Sequence, residues 1–84
     1  MLDSNPTGLS LADARPGQQL TVLNVADESA LTDRLVELGF TPAAPVAVLR
    51  RAPMGGPLLL RVRNTVITLR VELARQVVVE ARHD

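Results

Sequence analysis

The chain predicts a mainly β domain with one α-helix, its short strands closed into a compact barrel. Three observations carry this. Residues 58–69, LLLRVRNTVITL, alternate side chains about a short polar break, the period of a half-buried hairpin. Leu31, Leu35 and Leu38 fall at i, i+4 and i+7, one helical stripe that ends at Gly39. Turn signals rich in Pro and Gly recur at close spacing through 84 residues, which suits several short strands around one modest core.

The elements follow in order. Residues 1–8 are polar, contain Pro6 and Gly8, and read as a flexible extension. Ser10 to Ala14 suits one helical turn, closed by Arg15-Pro16-Gly17. Gln18 to Val25 is rich in β-branched and apolar residues and reads as the first strand. Asp27 and Ser29 are both able N-caps for the helix, and acids crowd its first turn, where the dipole favours them. Gly39 is the expected left-handed C′ residue, with Phe40 folding back on Leu35. Asp33, Arg34 and Glu37 fall on the wet face.

Thr41 to Pro45, with Pro42 inside it, cannot continue a helix and forms a corner. Val46 to Ala52 reads as a strand with Val46 and Val48 on one face. Ala47, Leu49 and, in a regular strand, Arg51 take the other. Pro53-Met54-Gly55-Gly56-Pro57 is a turn. A two-residue loop at Arg63-Asn64 sets Val62 opposite Thr65, Leu60 opposite Ile67 and Leu58 opposite Leu69, with Asn64 expected to take a positive φ. Val71 to Arg75 reads as one helical turn and Gln76 to Glu80 as a last strand.

Composition bounds the function. Apolar residues are 46% and charged ones 21%, a globular balance. The absence of cysteine removes disulfides and thiolate metal sites and suits a reducing compartment. No basic-then-apolar leader opens the chain, so no signal peptide is expected. The longest apolar run, Ala43 to Leu49, is broken by Pro45 and far short of the ~20 residues of a membrane span. Net charge is zero but unevenly spread. Residues 1–40 hold six acids against two arginines, a net of −4; residues 41–84 hold seven arginines against three acids, a net of +4. All nine basic residues are Arg, as either bidentate recognition or coding bias would produce.

No chemistry-bearing constellation is present in the sequence. His83 is the sole imidazole and lies one residue from the end, and the acids pair at most, whereas Fe(II) needs several converging ligands. We therefore expect no metal site and no cofactor. The hydroxyls lack a base and no phosphate-binding glycine loop exists, so we expect no enzyme. Phe40 is the only aromatic. That argues against an aromatic-lined proline-peptide groove and against base-stacking platforms for nucleic acid.

The order and spacing of residues 34–70, RLVELGFTPAAPVAVLRRAPMGGPLLLRVRNTVITLR, resemble the FeoA family. The shared run is Leu-Gly-Phe-Thr-Pro, a strand ending in basic residues, Ala-Pro-Met-Gly-Gly-Pro, and a Val-Arg hairpin; a looser match extends from Ser10 to Gln76. Two positions depart from it. Ala43 stands where the family usually has Gly after Thr-Pro, so that corner is expected to use a conformation open to Ala. Asn64 stands where the hairpin usually has Gly.

The resemblance implies a small SH3-like β-barrel over residues 9–81 with a flexible tail at 82–84. It further implies a cytoplasmic accessory of ferrous iron uptake that docks on the cytoplasmic GTPase region of the FeoB transporter and reaches the inner face of the membrane only through that partner. Two other readings stay open: a stand-alone regulatory domain like the C-terminal domain of DtxR-type metal-dependent repressors, and a nucleic-acid-binding small barrel. Sheet edges in an open barrel also leave room for a homo-oligomer. Strand parity sets Arg61 and Arg63 outside, with Arg70 and Arg51 beside them. Together with the Met54 tip they form the expected partner-binding surface. Gly39, Pro42, Gly55, Gly56 and Asn64 are expected to shape the turns.

Overall fold

Alternation decides which side of each strand is dry, and the computed structural model, which describes residues 9–25 and 30–82, shows the result. The elements are β1 (Leu9–Ser10), a 3₁₀ turn (Leu11–Asp13), β2 (Gln19–Val25), α1 (Ala30–Leu38), β3 (Pro45–Arg51), β4 (Leu58–Val62), β5 (Thr65–Leu69), α2 (Val71–Ala74) and β6 (Val77–Ala81). Among the described residues six strands form one antiparallel sheet in the order β1-β6-β2-β3-β4-β5. The last strand therefore inserts between the first two. Two-residue β1 was not legible in the sequence. The helix caps Asp27 and Ser29, and His83, lie outside the described residues.

One face of the sheet is the core. Leu20 and Val22, Val46 and Val48, Leu58, Leu60 and Val62, Leu69, Val77 and Val79 are all buried. Leu11, Ala12 and Ala14 of the 3₁₀ segment, Leu35 of α1, and Phe40 close over them. Among the described residues no polar or charged side chain is buried. Apolar burial thus holds the domain together, at about 1.5–3 kcal/mol for each fully buried Leu, Val or Phe.

The helix ends as its sequence demands. Gly39 N–H donates to the Val36 carbonyl at 3.0 Å and Phe40 N–H to the Leu35 carbonyl at 3.1 Å, the paired bonds of a Schellman ending. Gly39 has φ 115°, and a Cβ there would meet Val62 Cγ1 at 3.1 Å, so glycine is required twice over. Asp33, Arg34 and Glu37 are exposed and Leu35 is fully buried, as the stripe implies.

The corner departs from expectation. Ala44 N–H donates to the Thr41 carbonyl at 3.0 Å across Pro42 and Ala43, and Ala43 has φ 73°. This is the pattern of a type II turn, with Pro at the second position and a residue of positive φ at the third. Ala43 thus keeps the left-handed conformation that Gly would favour. It is held there by β2, because Ala43 N–H donates to the Val22 carbonyl at 2.7 Å and Val22 N–H to the Ala44 carbonyl at 2.9 Å.

The β4–β5 hairpin has the register read from the sequence: Leu58 opposite Leu69, Leu60 opposite Ile67, Val62 opposite Thr65. The expected conformation of Asn64 is corrected. The positive φ, 55°, belongs to Arg63, and Asn64 is not among the positive-φ residues. Arg63 N–H is tied to the Pro45 carbonyl of β3 at 2.9 Å, so the neighbouring strand constrains this loop position.

Arg51 is the other correction. Val48 pairs with Leu60 but Arg50 pairs with Leu59, so Leu49 is an extra, bulged residue. The bulge inverts parity beyond it. Arg51 then lies opposite core-facing Leu58, and its guanidinium donates to the Ala12 and Ala14 carbonyls at 2.7 and 2.8 Å. It clamps the 3₁₀ segment onto β3 instead of joining the outer arginines.

Candidate functional site

The outer face of the sheet is organised in rows that cross the strands. In one row Gln19 of β2 pairs with Ala47 of β3, Ala47 with Arg61 of β4, and Arg61 with Val66 of β5. Arg82 extends it, since its N–H donates to the Gln19 carbonyl at 2.9 Å. In the next row Arg50 pairs with Leu59 and Leu59 with Thr68. Both rows face away from the core.

A shallow depression of about 300 Å³ lies on the first row, lined by Gln19, Ala47, Arg61 and Arg82, with Pro45, Val46, Arg63 and Asn64 completing it. Its cause is a size contrast. Ala47 offers one methyl where its neighbours in the row, Gln19 and Arg61, offer long side chains. Arg63 is oriented from the side, its guanidinium donating to Thr41 Oγ1 at 2.7 Å. A second depression of about 290 Å³ lies on the next row, between Arg50, Ala52, Pro53, Pro57, Leu59 and Thr68.

Beyond it stands the β3–β4 turn. Gly56 N–H donates to the Pro53 carbonyl at 3.2 Å, and the two central residues, Met54 and Gly55, have φ of 61° and 74°. Both values are positive, the sign pattern of a type I′ hairpin turn. Gly56 packs so closely that a Cβ there would lie 2.8 Å from Ala52 Cβ. Met54 is fully exposed in a conformation that side chains rarely adopt.

The residues expected to form one surface are therefore only partly brought together. Arg61 and Arg63 share a depression, and Met54 lies outside it, in the β3–β4 turn. Arg70 sits apart, at the N-cap of α2, where its carbonyl accepts from Leu73 and Ala74. Arg51 is engaged elsewhere. Arg82 and Gln19 are additions. Their outward parity could be read from the alternation of β6 and β2, but their neighbours could not. Among the described residues no three His, Cys, Asp or Glu side chains are grouped to hold a metal ion.

A single antiparallel sheet, with one main helix and short turns closing its dry face, defines a small SH3-like β-domain. The chain belongs to the FeoA family: residues 9–81 match the FeoA domain. It is similar to the crystal structure of an iron uptake regulatory protein (FeoA), with 29% identity and a TM-score of 0.82 over 89% of this chain and 99% of that one. It is also similar to the FeoA of Stenotrophomonas maltophilia complexed with zinc, described as a procaryotic SH3 domain protein, with 33% identity and a TM-score of 0.77 over 86% of this chain and 89% of that one. A manganese-dependent transcriptional repressor shares the fold, at 19% identity and a TM-score of 0.83 over 93% of this chain and 38% of the repressor. No curated protein matches the chain.

Proposed function

We propose that this protein is a non-enzymatic accessory of ferrous iron uptake that docks on the cytoplasmic side of a FeoB-type transporter. The match of residues 9–81 to the FeoA domain carries this reading. The surface supports it. Arg61 and Arg63 are exposed, and Met54 is presented at a hairpin tip. Exposed Met is a soft apolar anchor, and exposed Arg steers an acidic partner. The protein acts at the inner face of the membrane through that partner and carries no catalysis of its own. Among the described residues no helix is long and apolar enough to cross a membrane.

The test is capture of FeoB from detergent-solubilised membranes at two salt concentrations. Replacing Arg61 and Arg63 by Gln is expected to weaken capture and flatten its salt dependence. Met54→Ser is expected to weaken it without changing the salt slope. If both variants capture FeoB like the parent, this surface is not the interface.

The shared fold with a metal-dependent repressor favours one second reading, a regulatory domain acting on a transcription factor in trans. Capture of a repressor, with no capture of FeoB, would select it.

A further inference from the structure

We infer that the depression over Ala47 is a carboxylate-binding subsite that receives the acidic side chains of an extended partner segment, an inference that rests on the docking reading above. Its frame is the row Arg82–Gln19–Ala47–Arg61. Three strand spacings separate Arg82 from Arg61, roughly 14 Å at about 4.8 Å each. Both side chains line the same depression, and the small Ala47 between them leaves its floor open.

Arg63 closes a third side. Its hydrogen bond to Thr41 Oγ1 at 2.7 Å fixes one edge of the guanidinium before any ligand arrives. Gln19 and Asn64 line the same space and bring side-chain amides, which can donate to a ligand oxygen. Among the described residues no Asp or Glu lines the depression; Glu80, on the same side of β6 as Arg82, is outside the lining. Arg61, Arg63 and Arg82 thus line one opening, with Arg61 and Arg63 on its β4 side. Planar guanidinium forks match carboxylates in bidentate fashion, and such charge-assisted bonds are roughly twice as strong as neutral ones.

The occupant is a polypeptide because the neighbouring surface suits one. Leu59 lies two residues from Arg61 on the same face of β4, about 6.6 Å along the strand, and lines the second depression with Pro53 and Pro57. An extended segment can set a carboxylate pair over Ala47 and an apolar side chain against Leu59 and Pro57 at once. A free phosphate or a lipid headgroup would use only the arginine end.

The experiment is titration of the isotope-labelled protein, followed by amide NMR at low salt. The probe is a short synthetic peptide carrying a glutamate pair followed by leucines. Shifts are expected to saturate at Ala47, Arg61, Arg63 and Leu59. Arg61→Gln alone is expected to weaken binding about tenfold, the equivalent of one lost charge-assisted bond. Arg61→Gln with Arg63→Gln is expected to weaken it further. The inference is overturned by unchanged affinity in Arg61→Gln. It is equally overturned if inorganic phosphate produces the same shifts at the same concentration, or if only vesicles containing phosphatidylglycerol bind. Shifts that grow with protein concentration and no ligand would assign the depression to a second copy and overturn it too. If the peptide binds but FeoB is not captured, the subsite stands and the transporter reading falls. If FeoB is captured equally by parent and Arg61→Gln, the reverse holds.

Discussion

The guanidinium of Arg51 donates to the carbonyl of Ala12 at 2.7 Å, joining the end of β3 to the 3₁₀ turn 39 residues earlier in the chain. The same nitrogen reaches the Ala14 carbonyl, so one side chain satisfies two carbonyls of a segment that lids the core. Arg51→Gln should lower stability by about 1–2 kcal/mol, the worth of a charge-assisted bond to a carbonyl discounted for partial exposure. Arg61→Gln should leave it within about 0.5 kcal/mol, as for other exposed substitutions. Urea titration of the two variants checks the contrast. Equal midpoints would mean that the Arg51 clamp contributes nothing.

Ala43 is an exposed residue at φ 73° in a turn whose geometry favours glycine. A left-handed conformation costs an L-residue roughly 1–2 kcal/mol, and Gly gives back part of that through its greater freedom in the unfolded chain. Ala43→Gly is accordingly expected to stabilise by about 0.5–1 kcal/mol, read as a rise in Tm. Ala43→Val should destabilise, because branching at Cβ resists this region further. A fall in Tm for the Gly variant would show that the corner does not hold the positive φ.

Met54 combines full exposure with φ 61°, so its side chain contributes little to the fold and costs backbone strain. Met54→Gly is expected to raise stability by about 0.5 kcal/mol while weakening partner capture, a separation of stability from function. Calorimetry paired with the membrane capture assay measures both. If stability rises and capture is unchanged, the methionine is not an anchor.

In the β4–β5 loop the two positions should respond unequally to a β-branched residue. Arg63→Val places Val at φ 55° and removes the bond to Thr41 Oγ1, which should cost more than about 1 kcal/mol. Asn64→Val, at a position without positive φ, should cost less than about 0.5 kcal/mol. Thermal melts of the pair decide it, and the reverse order would move the strained position to residue 64.

Local periodicity and turn chemistry determined a large part of this fold by themselves. The stripe ending at Leu38, the Gly39 stop and the even loop at Arg63-Asn64 are each set by residues close in sequence, whose backbone preferences do not need the rest of the chain. The pairing of Leu60 with Ile67 follows from parity and the two-residue loop. Tertiary structure decided the remainder. A bulge at Leu49 costs one ladder step and leaves no mark in composition, yet it turned Arg51 from the outer face to the Ala12 carbonyl. Which loop residue adopts a positive φ was settled by a bond from Arg63 to Pro45 on another strand, and Ala43 was held at 73° by Val22. Arg82 joined Arg61 only because β6 inserts beside β2, a choice made by burying Val77 and Val79 against the rest of the core. Side-chain direction is a property of each strand, but which side chains become neighbours depends on strand order, and that is fixed by closing the core.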